Sequence, residues 1–178
     1  MKSFVRLLIT ILLSAGLVET AIPETGESEP KNAQAALVGT WILTSRQEVT
    51  RDGAVRVEPS LGETPLGLLF YDAHGHMAVQ LMRRDRLVHP ASPAASPSAP
   101  PNNSDTSSGY DAYFGTYTVD PAAATVTHHL EGALSPGDVG KSVTRHFKVS
   151  DSELTLWFET TAADGSPVTR RLVWQRVP

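Results

Sequence analysis

The chain has 178 residues and no cysteine. Disulfides, thiol nucleophiles and a lipid-modified cysteine anchor are therefore excluded, and the core must hold the fold alone. Basic residues are too few for a basic face. Lys and Arg number 15 against 19 Asp and Glu, giving a net charge of −4, which argues against a nucleic-acid partner. The sequence also lacks an apolar run of the ~20 residues that spans a bilayer as a helix. No segment sustains a 3.6-residue apolar period. A Gly-rich phosphate loop, G-x-S-x-G and H-E-x-x-H are missing too, so hydrolase and nucleotide-enzyme readings recede and no cofactor is expected.

What is present begins with "MKSFVRLLITILLSAGLVETA". Lys2 and Arg6 lead into a short apolar run over residues 7–18, with small residues after it. That is the pattern of a secretory signal over 1–21, with an uncleaved anchor as the alternative. Ser14-Ala15-Gly16 and Val18-Glu19-Thr20-Ala21 both offer cleavage points. The expectation is a secreted or periplasmic protein with no membrane span after cleavage. Residues 22–34 are polar, acidic and hold two prolines, which suits a disordered linker. A domain over 35–178 follows. Within it, residues 89–109 are rich in Pro, Ala and Ser and read as a long flexible loop. Asn102-Asn103-Ser104 in that loop has the form of a glycosylation sequon.

Elsewhere strand follows strand. "GTWILTSRQEV" opens with Trp41, Leu43 and Ser45 on one face. "LGLLFYD" and "HMAVQLMRR" flank a turn at "AHG", where Gly75 supplies a positive φ. "AYFGTYTVD" and "ATVTHHLEG" flank "PAA". "VTRHFKVSDSELTLWFET" holds two strands around 150–152, and "VTRRLVWQRV" follows the turn "ADGSP". With a short strand near 54–58 the total is eight to ten, and "KNAQAAL" suits a short helix. So many sequential hairpins predict an all-β fold, an up-and-down antiparallel β-barrel. Closure removes exposed edges, and eight strands leave room for one small ligand.

The blocks "LVGTWILTS", "GLLFYDAHGHMAVQLMR", "YFGTYTVD", "TVTHHLEGAL" and "LVWQR" occur in order and with fitting spacing. Together they resemble the lipocalin-like domain family of bacteria and fungi, over nearly all of the domain. The resemblance implies a barrel around an internal cavity. It implies binding of small apolar molecules, or cyclase or isomerase action on natural-product intermediates. It also implies structural roles for Trp41, closing one barrel end, and for Arg176 on the last strand, laid over the indole.

The polar candidates start with His128, His129 and Glu131. Alternation sends His129 and Glu131 to one face with Thr127, and His128 to the other with Val126 and Leu130. A simple barrel turns the apolar face inward and buries His128. A ligand-holding barrel carries polar residues inward, and the assignment reverses. The reading adopted places His129 and Glu131 on the cavity, where they hydrogen-bond a ligand's polar head or relay a proton. A second reading makes them metal ligands. Zinc needs a third ligand, and the other paired histidines, His74 and His76, sit at a hairpin turn, so no metal is expected. In a third reading the histidines are ordinary strand residues and Glu131 pairs with Arg145 or Arg170.

Tyr113, Gly115 and Tyr117 share a face, as a cavity wall of phenol donors with space at Gly115 or as an aromatic core. Gln80 either lines the lumen or is solvated. Arg145 stands in a row with Val143, Phe147 and Val149. A buried arginine requires a carboxylate from the protein or a ligand. The leading expectation is a barrel that binds a small, mainly apolar molecule through His128, His129, Glu131, Tyr113, Tyr117, Gln80 and Arg145. The first alternative is a cofactor-independent cyclase or isomerase using His129 with Glu131, and Tyr117 as donor. The second is an interaction scaffold with a filled barrel.

Overall fold

Strand β1, Gly39–Thr50, organises the structure because three other strands pair with it. The computed structural model describes residues 33–85 and 109–178. The sequence features assigned to residues 1–32, and the Pro-rich stretch with its sequon up to residue 108, lie outside the described residues. Before β1 comes a one-turn helix, α1 (Ala33–Leu37), which begins inside the stretch read as linker. After it come β2 (Val55–Val57), β3 (Leu66–Tyr71), β4 (His76–Met82), β5 (Tyr110–Asp120), β6 (Thr125–Ala133), β7 (Ser142–Val149), β8 (Glu153–Thr161) and β9 (Pro167–Arg176).

All pairings are antiparallel. The order is β2-β1-β3-β4-β5-β6-β7-β8-β9, and β1 also pairs with β9. Eight strands therefore close into an up-and-down barrel, and β2 adds a short ninth strand to the distal half of β1. Inward rows alternate as the pleat requires: Leu69 and Tyr71 on β3, Met77, Val79 and Leu81 on β4, Leu154 and Leu156 on β8, Leu172 and Trp174 on β9 are all buried.

Two bulges break this alternation. On β1, Leu43 lies opposite Trp174 and Ser45 opposite Val173, so Thr44 is an extra residue. Its Oγ1 donates to the Val173 carbonyl at 2.9 Å. The extra residue inverts the faces beyond it. Arg46 and Glu48 turn inward, and Ser45, expected to share a face with Trp41 and Leu43, does not. On β6, Phe114 faces Gly132 and Gly115 faces Leu130, so Glu131 is the extra residue. A Cβ on Gly115 would stand 2.0 Å from the His129 carbonyl oxygen. Gly115 therefore admits the backbone of the bulge; it does not open space beside the tyrosine rings.

One barrel end is plugged. Trp41 is fully buried and its indole N–H donates to the Leu37 carbonyl at 2.9 Å. The Arg176 guanidinium lies 4.0 Å above the indole. Its nitrogens donate to the carbonyls of Ala36, Val38 and Asp151 at 2.6–2.7 Å. A cation thus caps orphan carbonyls at the end of α1 and stacks on an aromatic face. Gly39, at φ +143°, has no side chain to obstruct this: a Cβ there would meet Arg176 Nη1 at 2.5 Å.

Candidate functional site

Above the plug the lumen holds a cavity of about 150 Å³. Leu69, Val79, Leu81, Leu156, Phe158 and Leu172 form its apolar walls. Among the described residues its polar lining comes from five strands that the closure brings together: Arg46 on β1, Asp111 and Tyr113 on β5, His128 on β6, Arg145 on β7, and Arg170 and Trp174 on β9.

His128 is the inward histidine, only 1% exposed. Its Nε2 lies 2.6 Å from the Tyr71 hydroxyl and its Nδ1 3.3 Å from that of Tyr113. The bond to Tyr71 crosses the barrel from β6 to β3. Burial, then Arg145 and His129, holds the imidazole well below its usual range. A neutral ring has one donor and one acceptor nitrogen, which matches two phenols. Burial raises the pKa of both phenols, that of Tyr71 strongly. Arg145 Nη2 donates to the Tyr113 hydroxyl at 3.2 Å, and its guanidinium lies 4.7 Å over the Phe158 ring. The result is a chain, Tyr71–His128–Tyr113–Arg145, that reaches from β3 across the lumen to β7.

This burial sets a pH dependence. The unfolded chain takes up a proton on the histidine near its ordinary pKa of about 6.5, whereas the folded chain resists until well below it. Stability from this group is complete above about 6.5 and is lost as pH falls toward the folded value, at up to about 1.4 kcal/mol per pH unit. Urea denaturation of wild type and His128→Gln at pH 7.5 and 5.5 checks this. The wild type should lose about 1 kcal/mol more than the variant; equal losses would remove His128 as the cause.

The barrel's other end carries an ionic network. Glu48 is 1% exposed and accepts from Arg56 Nε at 3.0 Å and from Arg170 Nη2 at 2.7 Å. Arg56 continues to Asp164 at 2.9 Å. Glu58 pairs with Arg46 and accepts from the Ser60 and Leu61 amides. Burial pushes its carboxyl up, but Arg46 and the Ser60 hydrogen bonds outweigh this and hold it below the usual range. Among the described residues Asp111 is the one carboxylate lining the cavity, and burial raises its pKa.

The lumen differs from the sequence reading at several positions. His129 faces outward and bonds Thr118 Oγ1 at 3.1 Å and Ser142 Oγ at 2.8 Å. Glu131 is exposed on its bulge and pairs with neither Arg145 nor Arg170. The preference for these two on the cavity is therefore corrected. Val126 and Leu130 share His128's face, their burial fixes the strand's orientation, and the two phenols satisfy the imidazole that comes with them. Gln80 is exposed and accepts from the Tyr110 hydroxyl at 2.9 Å, so it is not a lumen residue. Tyr117 is buried, but its ring packs 4.7 Å from Tyr71 and its hydroxyl donates to the Asp72 carbonyl at 2.8 Å. It is committed to the plugged end and does not line the cavity. His74 and His76 stay at their turn, with His76 Nδ1 2.9 Å from Asp72. Among the described residues no three metal-binding side chains stand together.

Sequence reasoning passed over Arg46, Tyr71, Asp111 and Trp174 and gave Arg170 only as a partner for Glu131. Arg170 was legible, since it shares a row with Val168, Leu172 and Trp174 just as Arg145 shares one with Phe147. Arg46 was not, because the bulge at Thr44 moves it to the inner face.

A family model described as a lipocalin-like domain matches residues 38–177. No curated protein matches the chain. Among solved structures, that of EF1p2_mFAP2b bound to DFHBI is similar at 12% identity and a TM-score of 0.41, covering 84% of this chain and 100% of that one.

Proposed function

The chain belongs to the lipocalin-like domain family, and from that premise we propose that its barrel binds a small, mainly apolar molecule carrying one polar group. The observation that carries this reading is the cavity itself. It is a space of about 150 Å³ in the lumen with aliphatic and aromatic walls and a few polar groups in its lining. It weighs against a filled, purely structural barrel. Proton transfer by His129 has lost its support, since that side chain bonds Thr118 and Ser142 outside the lumen.

Trp174 lines the cavity, so indole fluorescence reports occupancy. A series of one-ring compounds with a single polar substituent (phenol, benzyl alcohol, benzoate) should include at least one saturable binder. Val79→Phe, which places a ring in the cavity, should weaken that binding at least ~10-fold while the far-ultraviolet circular dichroism is kept. Binding unaffected by Val79→Phe, or no binding by any of the series, would sink the proposal.

A further inference from the structure

Among the described residues, three buried side-chain nitrogens have no hydrogen-bond partner: Arg46 Nε, Arg170 Nε and Trp174 Nε1. All three side chains line the one lumen cavity. They come from strands joined edge to edge, β1 and β9. Buried N–H groups are paired in the great majority of cases, and leaving one unpaired carries the full cost of desolvating it. Three orphan donors with no orphan acceptor describe a site short of acceptors.

The charges point the same way. Arg145 reaches the cavity too, with Tyr113 as its hydrogen-bond partner and no ion pair among the described residues. Glu48 and Glu58 are already held by Arg46, Arg56 and Arg170. Asp111 lines the cavity and its charge acts on Arg46 and Arg145, but among the described residues it makes no ion pair or side-chain hydrogen bond with either, so the orphan donors stay unserved. The lining also includes Leu69, Val79, Leu81 and Leu156, which offer no polar contact.

Resting on the reading of the lumen as a ligand site, we infer that the ligand is a small monocarboxylate, its carboxylate set among Arg46, Arg145, Arg170 and the Trp174 indole N–H, its apolar part against the leucine and valine wall. A carboxylate has two oxygens and about four acceptor sites, enough for several converging donors, and charge-assisted bonds are the stronger kind. A cavity of about 150 Å³ holds one benzene ring, so the apolar part has the bulk of a single ring or a short branched chain.

The test compares benzoate with benzamide, a neutral analogue of nearly the same shape, by titration of the full chain. Benzoate should bind about tenfold more tightly or better. It should also shift the Trp174 indole N–H resonance downfield more than benzamide does. In Arg145→Met the ratio of benzoate to benzamide affinity should shrink severalfold. The wild-type comparison stands by itself should that variant fold poorly. If benzamide binds as well as benzoate, the donors are served by water or by any polar group, and the carboxylate inference falls while lumen binding stands. If benzoate, benzamide and the phenol series all fail to bind, lumen binding itself falls.

Discussion

Glu48→Ala should destabilise the protein by about 3–5 kcal/mol, one of the two largest losses expected from a single substitution. The carboxylate is almost completely buried and accepts from two guanidinium groups, Arg56 and Arg170. Removing it leaves the Arg170 charge, among the described residues, with only Glu58 at 3.9 Å, while Arg56 retains Asp164. The cost is mainly that of an uncompensated buried charge, so it should fall when the charge goes as well. The double variant Glu48→Leu with Arg170→Leu should be more stable than Glu48→Ala alone. Urea midpoints at unchanged m-value measure both. A loss under about 1 kcal/mol for Glu48→Ala would mean that water already solvates this group.

Trp41→Ala should cost a similar ~3–5 kcal/mol, for a different reason. Here the loss is volume and contact at the plugged end. The fully buried indole supports Arg176, and its N–H serves the Leu37 carbonyl. Trp41→Phe keeps an aromatic face under the guanidinium and gives up only the N–H and part of the volume. It should cost less than half as much. Equal costs for the two variants would place the stabilisation in the Leu37 hydrogen bond and not in the plug.

The two predictions mark the ends of the barrel, and the ends were unequally legible. Trp41 and Arg176 belong to sequence blocks that resemble a known family, and the structure brings them together at 4.0 Å. Glu48 gave no such signal. Read with strict alternation from Trp41 it falls on the outer face, and only the extra residue Thr44 carries it inside together with Arg46. The histidines show the converse case. Plain alternation sends His128 inward with Val126 and Leu130, and the structure keeps that assignment. The contrary preference for His129 and Glu131 came from expecting a polar cavity wall on that face. The polar wall exists, but Tyr113, His128 and Arg145 build it from within the apolar rows.

The sequence by itself determined the strands, their hairpin order, the closed all-β architecture and the polar residues His128 and Arg145 within apolar rows. These depend on a period of two and on turn chemistry, which are local properties. Tertiary structure alone decided where the alternation slips, at Thr44 and Glu131, because a bulge is set by the register of the partner strand. It also decided that Tyr71 and His128 meet across the lumen, and that a cavity remains whose lining includes three side chains with an unpartnered buried donor. Those features depend on side chains far apart in sequence filling, or failing to fill, one shared volume.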